Sequence, residues 1–95
     1  MANYIARVEL HHALSYQDYE KLHASMYNRG FLRFIAGSDN RTYQLPTGTY
    51  VLRGSSISLQ DALSLASAAA AETGKASETI VSDWDSASWR GLPTV

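Results

Sequence analysis

The stretch Tyr4–His12 (YIARVELHH) alternates cleanly. Tyr4, Ala6, Val8 and Leu10 fall on one side, and Ile5, Arg7, Glu9 and His11 on the other. Period two predicts a strand with one face against a core and one face more polar. The run ends in His11-His12, so a charged face and two imidazoles arrive together at the end of a sheet. Ser15–Asp18 reads as a helix start: the hydroxyl can accept an amide hydrogen three residues on, and Asp18 favours the positive end of the dipole. Tyr19, Leu22, His23 and Met26 follow at three- and four-residue spacing. They predict an amphipathic helix over Tyr16–Arg29, closed by a left-handed Gly30.

Phe31–Ala36 predicts a second strand, Gly37–Asn40 a turn, and Arg41–Leu45 the returning strand of a hairpin. Pro46 has no amide hydrogen and Gly48 tolerates unusual dihedrals, so the chain breaks or bulges before Thr49–Leu52. The pattern leaves open whether Arg41–Arg53 is one kinked strand or two. Ser58–Asp61 repeats the helix-start pattern, followed by a stripe of Leu59, Ala62, Leu63, Ala66, Ala69 and Ala70. Alanines at 68–71 bring the highest helix propensity, and Gly74 ends the helix. Ser77–Ser82 predicts the last strand. The organisation is a domain over residues 1–83 and an aromatic tail over 84–95.

The predicted order is β-α-β-β-α-β, the ferredoxin-like α+β plan: a four-stranded antiparallel sheet with both helices on one face. Ile5, Phe31 or Ile35 would then lie near the uncovered face. A homodimer with an isologous interface is the simplest way to cover it.

Ninety-five residues make one domain with a modest core. Eight Lys+Arg stand against nine Asp+Glu, without the basic excess of proteins that bind mainly phosphate. RNA handling would therefore be weak, transient, or confined to a local patch. The absence of cysteine excludes disulfides and thiolate metal sites. No run reaches the roughly 20 apolar residues of a membrane span, and MANYIARVE does not resemble a signal peptide. The expectation is a cytoplasmic protein with no membrane partner.

His11, His12 and His23 are the groups that titrate near neutral pH. In a catalytic reading they serve as general acid and base in phosphodiester cleavage. In a structural reading His11 and His12 are half-exposed residues at a strand end, pointing to opposite faces, and His23 lies on the buried stripe. Glu9 and His11 share a strand face, where a carboxylate and an imidazole could hold a divalent ion with help from another chain or could form a surface ion pair. No metal-ligand spacing of the His-Glu-x-x-His kind occurs, and no glycine-rich phosphate loop, so neither metal nor cofactor is expected. Arg7 and Arg33, with Arg41 or Arg53 and interleaved with Tyr43 and Tyr50, could hold single-stranded RNA on the open sheet face. The same residues could equally form the rim of a dimer interface. Trp84 and Trp89 are either anchors for a partner protein or a cover folded back over the sheet.

Several stretches together resemble the GhoS family, the antitoxins of type V toxin–antitoxin systems. They are Tyr4-Ile5 in the first strand, Met26-Tyr27 shortly before Phe31, and Gln44-Leu45 followed five residues on by Tyr50. The resemblance runs over roughly Tyr4–Asp83. It implies a ferredoxin-like fold similar to CRISPR-associated endoribonucleases of the second Cas family, and cleavage of a membrane-lytic toxin's messenger RNA. In that wider group a carboxylate at the end of the first strand is linked to cleavage. The region here reads Glu9-Leu10-His11-His12, without Asp. Arg7 and Arg29 stand nearest the matching stretches as RNA-handling groups.

The leading expectation is an antitoxin-like endoribonuclease or single-stranded RNA-binding protein. Arg7, Arg29, Arg33 and Tyr43 would hold RNA, with His11 or Glu9 near the scissile bond. The alternative is a non-catalytic interaction module, such as an inhibitor of a nuclease complex, that engages a protein through its sheet edge or through Trp84 and Trp89.

Overall fold

Strand β1 (Ala2–Leu10) forms where the alternation is strictest, and burial follows the pattern: Tyr4, Ala6, Val8 and Leu10 are buried while Arg7 and Glu9 are exposed. The computed structural model describes residues 1–95. After β1 come α1 (Tyr16–Asn28), β2 (Phe34–Ala36), β3 (Thr42–Gln44), β4 (Thr49–Ser55), α2 (Leu59–Ala71) and β5 (Ser77–Asp83). The fold is a small α+β domain with antiparallel sheets.

The strands do not form one four-stranded ladder. β4, β1 and β5 make a three-stranded sheet in that order, and β2 and β3 pair as a separate hairpin. A single bridge, with Leu32 and Val51 exchanging two hydrogen bonds of 2.8 Å, joins the segment before β2 to the outer edge of β4. The cause lies at the end of α1. Gly30, at φ +91°, donates to the Tyr27 carbonyl, and the Phe31 amide reaches back to Met26 at 3.0 Å. This is the Schellman closure of a helix, with Phe31 and Met26 as its hydrophobic pair. The Phe31 amide is thereby withheld from a strand ladder.

The open question at Pro46 resolves into two strands. The Thr49 amide bonds the Pro46 carbonyl at 2.9 Å, turning the chain between β3 and β4. Gly48 sits in that turn at φ +84°, and its carbonyl accepts from Val8 at 2.8 Å.

Both helices pack on the Tyr4–Leu10 face. Leu22 and Met26 of α1 meet Ala62, Ala66, Ala69 and Ala70 of α2 over Tyr4, Ala6, Val8, Leu10, Phe31 and Tyr50. Phe31 and Tyr50, expected near or on the open face, are instead fully buried on the helix side. At the start of α2 the Ser58 hydroxyl accepts from the Asp61 amide at 3.1 Å, as the sequence predicts. At α1 the equivalent Ser15 hydroxyl makes no such bond, and its carbonyl takes the Asp18 amide instead.

A second, smaller core lies across the sheet. Ile35, Leu45 and Val51 are buried there, with Ile5, Tyr43, Trp84, Trp89 and Leu92 packed against them. The hairpin and the C-terminal tail thus cover the half of the expected bare face that carries Ile5 and Val51. The tail is tied down by backbone bonds from Trp84 to Asn3 (3.0 Å), from Gln44 to Pro93 (2.8 Å) and from Val95 to Thr42 (3.0 Å).

The C-terminal ends of the two helices are clamped by Arg29. Its guanidinium bonds Glu72 at 2.8 Å and the Ser25 hydroxyl at 2.7 Å, while Ser25 also donates to Glu72. The Arg29 and Ser25 hydrogen bonds hold the Glu72 carboxyl at about 2, below its ordinary 4.5. A depressed carboxylate contributes stability above its unfolded value and loses it as pH falls through the folded one. Urea midpoints measured downward from pH 5 toward pH 2 should therefore fall more steeply for the wild type than for Glu72→Gln. Parallel curves would remove the clamp from the acid sensitivity of the fold.

Candidate functional site

The half of the sheet left open is built by β1 and β5. In their register Arg7 lies opposite Ile80 and Glu9 opposite Glu78. Arg7, Glu9, Glu78, Thr79 and Ile80 line a shallow depression of about 270 Å³. At its end His11 Nε2 lies 2.8 Å from Glu78 Oε1. The strand period therefore delivers Arg7, Glu9 and His11 to one face, as the sequence predicts, and β5 adds a carboxylate that orients the imidazole. His12 takes no part: it is exposed, with φ +57°, where the chain leaves the strand. The ion-forming residues here are one guanidinium, one imidazole and two carboxylates, so the depression by itself does not attract phosphate strongly. No three His, Asp or Glu side chains converge in metal-binding geometry.

A second concavity, about 370 Å³, lies where the tail crosses the hairpin. Trp84, Trp89, Tyr43, Arg53, Asp39 and Ile35 are among its walls. Tyr43 and Trp89 are tilted rings 5.5 Å apart, and the Arg53 guanidinium lies 5.7 Å from the Trp84 ring centre. Tyr43 donates to Asp39 at 2.5 Å, which lowers the Asp39 pKa and raises that of the phenol. The Trp84 indole N–H is buried with no hydrogen-bond partner. A buried donor left unmet costs about 1–3 kcal/mol. Trp84 lines the cleft with the tilted Tyr43–Trp89 pair and the Arg53 guanidinium.

The remaining candidates are dispersed. Arg29 is committed to Glu72 at the helix ends, away from the sheet face. Arg33 lies beside α1, lining a third concavity with Glu20, His23, Tyr27, Phe31 and Phe34. Its Nε is buried without a partner. Burial and then the nearby Arg33 charge lower the His23 pKa. His23 Nδ1 is 2.6 Å from the Tyr50 hydroxyl, whose pKa burial raises. Arg7, Arg29, Arg33 and Tyr43 thus occupy four separate places rather than one RNA-binding surface. Sequence alone ranks Arg53 below them and gives Trp84 no part in RNA handling. Trp84 follows β5 directly in the sequence, but only the register brings it alongside Asn3 and within reach of Arg53.

Compared with known proteins, the chain matches no protein-family model and no curated protein.

Proposed function

We propose that this chain is an antitoxin-like, single-stranded RNA-handling protein of the GhoS type, acting as an endoribonuclease on a toxin messenger RNA. The supporting fold reading is ferredoxin-like, with residues 32–36 taking the outermost strand position beside β4 through the Leu32–Val51 bridge. The observation that carries the RNA reading is the cleft walled by Trp84, Trp89, Tyr43 and Arg53. Aromatic faces accept any base and a guanidinium accepts a phosphate. From the cleft, the Ile5–His11 face of β1 leads along the sheet past Arg7 to the His11–Glu78 pair. Glu9 and His11 stand two residues apart, about 7 Å along a strand. One would take the proton of a 2′-hydroxyl as its oxygen attacks the adjacent phosphorus, and the other would give a proton to the departing 5′-oxygen.

The test is binding and cleavage of a short single-stranded oligoribonucleotide. Trp89→Ala should weaken binding about tenfold, in keeping with about 1–3 kcal/mol per stacked base. Two or three phosphate contacts give a salt dependence of log K on log salt of about −1.4 to −2. His11→Ala should leave binding unchanged and slow cleavage about a hundredfold or more. Failure to bind at low salt ends the RNA reading; unaltered cleavage by His11→Ala ends the role of the imidazole alone.

A second reading, a non-catalytic module that docks a protein, has its own support. Tyr27, Leu32 and Phe34 are exposed together around the third concavity. Clustered apolar exposure of that kind marks protein contacts more often than chance.

A further inference from the structure

β5 is the one long strand whose outer edge meets nothing, because Leu32 covers part of the opposite edge at β4. Its pairing with β1 runs without a register shift from Asp83 to Ser77. The direction of its free groups follows from two flanking hydrogen bonds in the same register, His11 to Ala76 (2.8 Å) and Trp84 to Asn3 (3.0 Å). Bonded pairs in an antiparallel ladder recur at every second residue. Ile5–Ser82, Arg7–Ile80 and Glu9–Glu78 are therefore the bonded pairs. The amides and carbonyls of Ser77, Thr79, Val81 and Asp83 point away from β1, with no partner. The Val8 amide bond to Gly48, on the other side of β1, has the phase this requires.

Such an edge is normally blunted by proline, a bulge or charged side chains, lysine above all. β5 reads Ser-Glu-Thr-Ile-Val-Ser-Asp, with no proline, lysine or bulge; its charges are Glu78 and Asp83, and Ile80 at its centre is 67% exposed. We infer that β5 pairs antiparallel with β5 of a second copy about a two-fold axis at Ile80, making one six-stranded sheet. In this register Thr79 exchanges hydrogen bonds with Val81 of the second copy, and Ser77 with Asp83. The two Ile80 side chains lie directly opposite in a non-bonded pair, where side chains approach closest. Each Glu78 faces a Ser82 and each Asp83 a Ser77, so no two carboxylates are opposed. Shifting by one bonded step sets Glu78 against Ile80 or leaves it beyond the strand end, and shortens the ladder. Beyond Asp61 the exposed positions of α2 include Ser64, Ser67, Ala68 and Ala71, so that helix carries little bulk to hold a second copy away. Pairing would also extend the Arg7–Glu9 depression with Ile80 and Ser82 of the second copy. The inference stands apart from the RNA reading.

The chain has no cysteine, so single-cysteine variants report the register directly. Ile80→Cys should form a disulfide-linked dimer under mild oxidation, since the opposed Cα atoms would lie within the usual span for the bond. Ser82→Cys, whose equivalents would be about 13 Å apart along the strands, should cross-link at least about tenfold more slowly. Thr79→Pro removes an outward amide hydrogen and leaves the β1 ladder intact; sedimentation should then show monomer where the wild type is dimeric. A wild type that stays monomeric at ~1 mM, a concentration that would reveal an association as weak as a millimolar dissociation constant, overturns the inference. Equal cross-linking by the two cysteine variants, or dimers of Thr79→Pro as tight as the wild type, overturns it as well.

Discussion

Gly48→Ala should lower the stability of the fold by about 2–4 kcal/mol, as strained backbone and a forced contact add. A Cβ there would stand 2.4 Å from the Val8 carbonyl oxygen, on a residue at φ +84°. The oxygen belongs to the central strand, so relief would require moving β1 or the turn that feeds β4. Gly54 provides the comparison: it has φ +62°, but a methyl added there would meet nothing within 4 Å. Gly54→Ala should cost only the left-handed penalty, about 1–2 kcal/mol. Urea denaturation of the two variants measures the difference, and equal midpoints would show that the close approach at Val8 relaxes freely.

Removing residues 84–95 should have an effect of similar size, localised rather than global. Trp84, Trp89 and Leu92 leave the second core, and with them go the backbone bonds to Asn3, Thr42 and Gln44. Loss of large packed side chains on this scale costs about 3–5 kcal/mol. The helix-side core keeps all of its buried residues. Hydrogen exchange should therefore show amides of β2 and β3 losing protection while β1 retains most of its own. Uniform loss would mean that the two cores unfold as one; no loss would mean that the tail adds little to either.

These expectations also mark where the sequence is readable. The phase of β1 is visible because Tyr4, Ala6, Val8 and Leu10 alternate with Arg7 and Glu9, Ile5 being the one apolar residue on the other side. Both helices are visible because their stripes are flanked by cap-type residues, although Ser15 makes no cap bond. The hairpin turn at 37–40 is signalled by its residue types. What the pattern does not supply is phase across interruptions. Tyr43 sits in an alternating run and Tyr50 in an apolar one, Tyr-Val-Leu, whose facing the pattern does not fix; the turn at 46–49 puts Tyr50 under the helices and Tyr43 beside Trp89. The helix closure at Gly30-Phe31 similarly resets the following strand and carries Arg33 toward α1. The His11–Glu78 pair and the Arg53–Trp84 stack depend on ladder register between segments more than 30 residues apart, for which the chain gives no local cue. Arg7, Glu9 and His11 are legible as a group because they share a single strand.

The fully buried residues of α2 are all alanines, 62, 66, 69 and 70, with Leu65 packed partly buried beside them. Alanine has no side-chain torsion to adjust, so that layer cannot answer a disturbance by switching rotamers. Adaptation to a bound molecule or to a neighbouring substitution then falls to displacement of the whole cylinder, to Leu65 at its margin, or to Leu22 and Met26 across from it. Methionine is the more pliable of those two, which makes position 26 the natural place for this interior to absorb change.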